Sequence, residues 1–301
     1  MPDAALPALS LIATPGKRRA ILDLAVEAEE RGFAGIACPS LGSAMSLCVS
    51  LAHVTRRIPF WTSIQPIYLA RPAETAGTAS HLQEVSGGRF RLGLGVSHAP
   101  VHTRLGVQAG RPLSDMTSYV AAVRAITGEL TPPIYLATMR DRMLALAVEV
   151  GQGAIWANAA HSALPGQLTR VPGAAEEGFF RANMIPTVID DDREAAANRN
   201  RATLSGYVSL PNYRNYWKNA GYEEEMNAVE VAMASGERDK LTAAMTDKWL
   251  SSCTLYGSAN AVREGVEAWF DAGVPTPILV PSSTKGGQMI AIKEMFDTFA
   301  G

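Results

Sequence analysis

The stretch Arg57–Pro100, RIPFWTSIQPIYLARPAETAGTASHLQEVSGGRFRLGLGVSHAP, decides the fold. It opens on the apolar run Ile58–Ile64, which has the length of a strand and is too short for a stable helix. Ala73–Val85 follows as a helix, stopped by Ser86–Gly87–Gly88. Arg89–Val96 is a second strand. The strands are largely continuous apolar runs rather than alternating ones, as in strands covered on both faces. Strand, helix and strand in succession predict a parallel unit with its helix outside the sheet.

The same rhythm continues in both directions. Toward the N-terminus, Ala8–Ala13 is a short apolar run ended by Pro15–Gly16. Lys17–Arg31 places Ile21, Leu24, Ala25 and Ala28 at helical spacing, and Gly32 closes it. Ala34–Cys38 is a strand and Ala44–Arg56 a helix. Toward the C-terminus, the helix Pro112–Thr127 carries Met116, Tyr119, Val120 and Val123 on one face. The strand Pro133–Ala137, the helix Arg140–Val150 and the strand Ala154–Ala157 follow. Phe179–Ile189 is a longer strand, and Asp190–Asp192 can cap the helix after it. An excursion over Thr203–Lys248 reads as mostly helix and contains Tyr207, Tyr213, Tyr216, Trp217 and Tyr222. The alternation returns with the helix Ser258–Ala272, the strand Pro277–Pro281 and the helix Gly287–Phe299. Eight strands predict a (β/α)8 TIM barrel as one domain over residues 1–301, with a helical insertion at about 203–250 after strand seven.

Composition fits a large buried core. Of 301 residues, 47% are apolar and 19% charged, below the roughly 25% charge of an average soluble chain. Extensive disorder is thereby excluded. With 27 basic and 29 acidic residues the net charge is −2, which provides no general attraction to nucleic acid or anionic membrane. No apolar run approaches the ~18–20 residues that span a bilayer. Near the N-terminus the apolar stretch precedes the basic group, the reverse of a secretory signal, so a cytoplasmic protein is expected. Cys38, Cys48 and Cys253 have no paired spacing and suit reduced, buried thiols.

In such barrels the chemistry sits at the C-terminal ends of the strands. Here those ends are Thr14–Gly16, Pro39–Ser43, Ser63–Arg71, Gly95–His102, Thr138–Arg142, Asn158–Ser162, Asp190–Asp192 and Ser282–Gly287. Gly93 and Gly95 let a ligand approach the backbone of strand four, and Ser97 and His98 follow at the mouth. His98 can hydrogen-bond a substrate or deliver a proton; the other reading is an imidazole packed on a loop carbonyl. His98 and His102 are four apart, as metal ligands on a helix would be. Pro100 lies between them with no third ligand nearby, so no metal is expected. At Thr138–Arg142 a strand runs into a helix whose first-turn N–H groups form an anion site, with Arg140 and Arg142 adding charge. The other reading is an ordinary strand–helix junction with a solvated charged edge. The stretch LGLGVS lacks the third glycine of a dinucleotide fingerprint, and no phosphate-loop, nucleophile-elbow or zinc pattern occurs. The aromatics of Tyr207–Tyr222 either close a pocket or pack the inserted helices.

Arg57–Pro100 resembles the third and fourth strand units of the bacterial luciferase-like flavin and deazaflavin oxidoreductases. PPIYLATMRDRMLALAVEVGQGAIW (Pro132–Trp156) is similar to their fifth and sixth units, and YGSANAVREGVEAWFDAGVPTPILVP (Tyr256–Pro281) to their seventh helix and last strand. The elements GVSHAP (Gly95–Pro100), RPLSDMTSY (Arg111–Tyr119) and LPNY (Leu210–Tyr213) resemble a subgroup that uses coenzyme F-420, a deazaflavin. The resemblance implies a ring held at the barrel mouth. It implies a bulge behind that ring, often with a non-proline cis peptide, at Ser63–Ile64. It implies backbone contacts from Gly95, Val96 and Ser97, and a cofactor phosphate beside Ala137, Thr138, Met139 and Arg140. It implies Trp156 flanking the ring or its tail. Relatives tend to have Gly-Pro or Gly-Gly where Met139–Arg140–Asp141 stands.

The leading expectation is therefore an F-420-dependent oxidoreductase with His98 as the catalytic proton donor and a small organic substrate. An FMN-dependent luciferase-like monooxygenase is the alternative enzyme. A barrel that binds a deazaflavin or another small ligand without turnover is the non-enzymatic alternative. A homodimer is the expected assembly, with neither nucleic acid nor membrane as partner.

Overall fold

The computed structural model describes residues 6–40 and 43–299. Leu41 and Gly42, part of the expected mouth segment Pro39–Ser43, lie outside the described residues, as do the outermost residues of the expected domain. The chain forms two compact units, Met1–Ile155 with Val171–Ala182, and Trp156–Arg170 with Asn183–Gly301.

The first unit holds β1 (Ala8–Ser10), β2 (Ile36–Cys38), β3 (Phe60–Thr62), β4 (Gln65–Pro66), β5 (Phe90–Gly95), β6 (Ile134–Ala137) and the start of β7 (Gly153–Ala157). Their spatial order is β1-β2-β3-β5-β6-β7, all parallel. β4 resumes where β3 breaks off and pairs with the upper half of β5, Gln65 beside Leu94 and Pro66 beside Gly95. Helices Arg18–Glu30, Ala44–Val54, Pro72–Val85, Pro112–Thr127 and Asp141–Val150 connect the strands. Each turns an apolar face inward; in the first, Ile21, Leu24, Ala25 and Ala28 are buried. The expected register of strands and helices in this unit agrees with the structure to within about two residues at most ends. One strand pair is close enough to demand glycine: a Cβ at Gly93 would run into the Thr62 carbonyl. Thr62 also donates its hydroxyl to the Gly93 carbonyl at 2.7 Å.

The N-terminal ends of these strands are fastened by two side chains. The Arg89 guanidinium donates to the carbonyls of Ser86 (2.9 Å), Ile58 (3.1 Å), Ala52 (3.0 Å) and Thr55 (3.1 Å), and to the Thr55 hydroxyl (2.8 Å). Ala52 and Thr55 carry carbonyls that the end of helix Ala44–Val54 leaves unpaired, so one cation satisfies a helix end and ties it to β5. Glu29 receives the backbone N–H groups of Arg56 (3.0 Å), Arg57 (2.6 Å) and Ile58 (2.7 Å) on one carboxylate oxygen, fixing the entry to β3.

The second unit contains β8 (Phe180–Ile189) from Asn183 onward, β9 (Leu255–Gly257) and β10 (Thr276–Ser282). β8 pairs with both β9 and β10, and its register with β9 sets Thr187 beside Leu255. The excursion is helical throughout: Arg193–Val208, Pro211–Asn219, Glu223–Ser235, Arg238–Ala244 and Asp247–Cys253. Asp192 caps the first of these through the Ala195 N–H (3.0 Å), and Ser258 caps Ala259–Asp271 through the Ala261 N–H (3.3 Å), as their positions in the sequence predict. β9 and the helices Ala99–Arg104 and Leu164–Arg170 are additional to the sequence reading. All three cysteines are free and buried. Among the described residues no helix is long and apolar enough to cross a membrane.

Candidate active site

The break between β3 and β4 is a cis peptide bond, Ser63–Ile64. Ser63 is held there by its N–H, which donates to the Cys38 carbonyl at the end of β2 (2.7 Å). The Ile64 side chain is laid over the end of β5. A Cβ at Gly95 would sit 2.6 Å from Ile64 Cγ1 and 3.0 Å from the Ala137 Cβ. The backbone of Gly95 is thus enclosed by Ile64 on one side and Ala137 on the other, and only glycine fits between them. Its carbonyl receives the Ile67 N–H at 2.9 Å. Ser63, Ile64, Gly95 and Ala137, four of the positions singled out from sequence, are therefore neighbours at one end of the first unit's sheet. Gly95 is buried, while Ile64 and Ala137 remain half-buried.

Beyond Gly95 the chain turns sharply. Ser97 adopts φ +63°, in the left-handed region that non-glycine residues seldom occupy. Extended His98 follows and stands at the N-cap of the helix Ala99–Arg104. Pro100 lies in the first turn of this helix, where a missing N–H costs nothing. Val96, Ser97 and His98 are all half-buried. Burial pushes the His98 imidazole below its ordinary pKa of 6.5, and the neighbouring His102 pushes it in the same direction.

His102 takes the role that the sequence reading had considered for His98, an imidazole on a loop carbonyl. Its Nε2 lies 2.7 Å from the Val96 oxygen, and because a carbonyl only accepts, Nε2 carries the proton. The Tyr68 ring meets that imidazole edge to face at 5.3 Å. The Tyr68 hydroxyl donates to Asp115 Oδ2 at 2.7 Å. Burial, reinforced by Asp115, moves the phenol up to about 12, so it stays a donor at any neutral pH. The parts that these three residues play are not announced by the sequence, although His102 is noted there as a possible metal partner of His98. The signal was the i, i+4 pair His98 and His102, which separates into two roles once the helix is known to begin after His98.

The junction after β6 is built differently. Thr138 is buried, its N–H donates to the Ile155 carbonyl at 2.9 Å and its hydroxyl reaches the Arg140 carbonyl at 3.4 Å. Arg140 is the N-cap of Asp141–Val150 and provides no side-chain cap, so the first turn keeps the positive end of its dipole uncovered by a capping side chain. Met139 is half-buried, and Arg140 and Arg142 are exposed. Thr138, Met139 and Arg140 thus follow Ala137 on one strand-to-helix turn, beside Gly95.

In the second unit, Trp156 is fully buried and its indole N–H donates to Gln167 at 3.1 Å. The loop after it is pinned by the inserted helices. Trp217 donates to the Asn158 carbonyl (3.1 Å), the Ala160 N–H donates to the Tyr216 hydroxyl (3.0 Å), and the hydroxyls of Ser162 and Tyr222 lie 3.1 Å apart. Asn158 is held at φ +58° and is buried. Tyr213 and Trp217 pack ring to ring at 5.4 Å, and Trp217 meets Trp249 at 4.9 Å. The aromatic residues of the excursion therefore pack its helices and also hold a strand-end loop in place.

Comparison with known proteins places this arrangement. A 5,10-methylenetetrahydromethanopterin reductase of Archaeoglobus fulgidus is 25% identical over 282 residues, covering 81% of this chain and 84% of that protein. The coenzyme F-420-dependent tetrahydromethanopterin reductase from Methanopyrus kandleri superimposes with a TM-score of 0.75 at 16% identity, covering 97% of each chain. The oxygenating constituent of 3,6-diketocamphane monooxygenase from Pseudomonas putida, in complex with FMN, superimposes with a TM-score of 0.66 at 15% identity, covering 98% of this chain and 96% of that one. The likenesses show the fold expected from the strand–helix alternation, a luciferase-like (β/α)8 barrel of eight parallel strands with helices between them. With its residues 7–276 matching the family's sequence pattern, the chain belongs to the luciferase-like monooxygenase family.

Proposed function

We propose that this protein is a coenzyme F-420-dependent oxidoreductase acting on a small organic substrate. As a member of its family it is a luciferase-like oxidoreductase. The observation that carries the finer reading is the Gly95–His98 segment: a strand end overlaid by the half-buried Ile64 and Ala137, followed at once by a half-buried imidazole. The missing side chain at Gly95 lets Ile64 settle over the end of β5, and the half-buried Ile64 and Ala137 side chains offer an apolar surface suited to a flat ring system. Ile64 backs the ring in this reading, and Gly95, Val96 and Ser97 offer backbone groups to its edge. The Thr138–Arg140 turn meets the phosphate with helix N–H groups and the Arg140 charge. Ser63, Ala137 and Met139 complete the set of expected contacts.

When bound, a deazaflavin provides a carbon that gives or accepts hydride and does little oxygen chemistry. The chain's own part is to orient the substrate, exclude water and manage one proton. His98 does the last of these. Its protonated Nδ1–H or Nε2–H donates to the substrate atom that becomes negative as hydride arrives, and the neutral ring takes the proton back in the reverse direction. Assembly as a homodimer belongs to the same proposal and is tested by light scattering in solution.

FMN-dependent oxygenation is the second reading, supported by the likeness to the FMN-bound monooxygenase component. Dissociation constants for F-420 and FMN, measured by fluorescence under identical conditions, separate the two. Tighter binding of F-420 and oxygen-independent turnover are expected. Tight FMN binding with no measurable F-420 binding overturns the proposal.

A further inference from the structure

The segment Val96–His102 is closed on itself by two ties. His102 Nε2–H reaches the Val96 carbonyl at 2.7 Å, and the His102 backbone N–H reaches the His98 carbonyl at 3.1 Å. Between the two anchored carbonyls lies Ser97, at φ +63°. A non-glycine residue persists in that region only where its surroundings impose it. The side-chain tie acts on this turn directly, because a free Val96 carbonyl would let the peptide before Ser97 rotate. The imidazole is itself confined. Tyr68 stands edge-on to it at 5.3 Å, and Asp115, in the first turn of Pro112–Thr127, holds the Tyr68 hydroxyl at 2.7 Å.

We propose that His102 is a positioning residue: by holding the Val96 carbonyl it fixes the left-handed turn at Ser97 and thereby sets where the His98 imidazole stands. This rests on the reading of His98 as the proton-handling group. His102 touches neither substrate nor reacting atoms in this reading. Its action is geometric, and a displacement of about 1 Å at a reacting group is enough to slow turnover roughly 10²-fold.

Amide side chains separate the geometric role from general packing. Gln carries its N–H donor about as far from the backbone as His carries Nε2, whereas Asn is too short to reach Val96. Phe keeps a ring against Tyr68 and has no donor. His102→Gln is expected to retain turnover within about threefold of the parent, and His102→Asn and His102→Phe to lose about 10²-fold in kcat with KM little changed. In the protein without cofactor, the Ser97 and His98 amide resonances should stay in place in His102→Gln and move in His102→Asn. On a His98→Asn background the His102→Asn change should cost little further, since the group it positions is gone. Equal losses in the Gln and Asn variants, or an undiminished further loss in the double variant, overturn the proposal. If His98→Asn alone leaves turnover intact, the reading of His98 fails. The tie is then judged by the resonances alone: a shift confined to the donor-less variants supports it, and unmoved resonances overturn it. Should His102→Phe fail to fold, the Gln and Asn pair decides.

Discussion

Two turns at the same end of the first unit, Gly95–His102 after β5 and Ala137–Asp141 after β6, solve different physical problems. The first is fixed by shape. Ile64 and Ala137 leave no room for a side chain at Gly95, Ser97 is bent into the left-handed region, and His102 closes the turn with a side-chain bond. The second is an ordinary helix start with exposed arginines and no side-chain cap. A turn fixed by packing sets the position of a particular atom and is insensitive to salt. A turn that acts through partial charges and mobile guanidinium groups attracts an anion broadly and is screened by salt. The difference teaches where to look for chemistry and where for affinity.

The largest expected effect breaks the first turn at its functional tip. His98→Asn and His98→Ala should slow turnover about 10²–10⁴-fold while melting temperature and cofactor affinity stay near the parent's. Variants that unfold readily yet turn over normally when folded would make His98 a packing residue. The pH profile sharpens this. Burial and His102 hold the imidazole below 6.5, so its protonated form grows in only as pH falls into the acid range. In the reducing direction kcat/KM should therefore fall as pH rises through a value below 6.5, and that limb should vanish in His98→Asn. Next, Gly95→Ala should cost about 1–3 kcal/mol in denaturant unfolding, because Ile64 must move to admit the methyl group. An unchanged midpoint would mean the enclosure is loose.

The second turn should respond through charge. Arg140→Glu is expected to weaken a phosphorylated cofactor roughly tenfold at low salt, with the difference shrinking at 0.5 M salt, by order-of-magnitude Coulomb and screening arguments. A deazaflavin core without its phosphate should bind both proteins equally. No effect at low salt would place the phosphate elsewhere. The smallest change is Tyr68→Phe, which removes the bond to Asp115 while keeping the ring against His102. About 1 kcal/mol of stability should be lost, measured by thermal unfolding, with turnover nearly unchanged. A large turnover loss would show that Asp115 matters for more than holding the ring.

The alternation of strands and helices was legible because each strand is covered on both faces and reads as an apolar run between glycine- or proline-marked turns. β9 was not legible, because its apolar run is only Leu255–Tyr256, whereas the equally short β1, β2 and β3 lie inside longer apolar runs. The helix Ala99–Arg104 was hidden by Pro100, whose meaning depends on whether it falls in the first turn or later. At the candidate site, Gly93 and Gly95 are expected from sequence to admit a ligand to the backbone; the structure instead places protein atoms there, the Thr62 carbonyl at Gly93 and Ile64 with Ala137 at Gly95. The cis bond at Ser63–Ile64 came from family resemblance rather than from any local pattern. The tie from His102 to Val96 depends on the left-handed Ser97, a conformation that its residue type does not announce. The capping roles of Asp192 and Ser258 were legible because they depend only on residue type and position relative to the helix that follows.

Arg89 has a consequence for how this protein can change over generations. All its donors are engaged by groups at the strand entrances, none of which lies in the Gly95–His102 turn. The scaffold beneath β3 and β5 is therefore secured without help from the loops that face a ligand. Exchanging the segment from Val96 to Val107 for a loop of another length and chemistry leaves every one of those bonds in place. Substituting Lys for Arg89 would free several carbonyls at once, because a single ammonium cannot span them. New specificity is thus open to inheritance by loop replacement, whereas the arginine underneath admits almost no substitute.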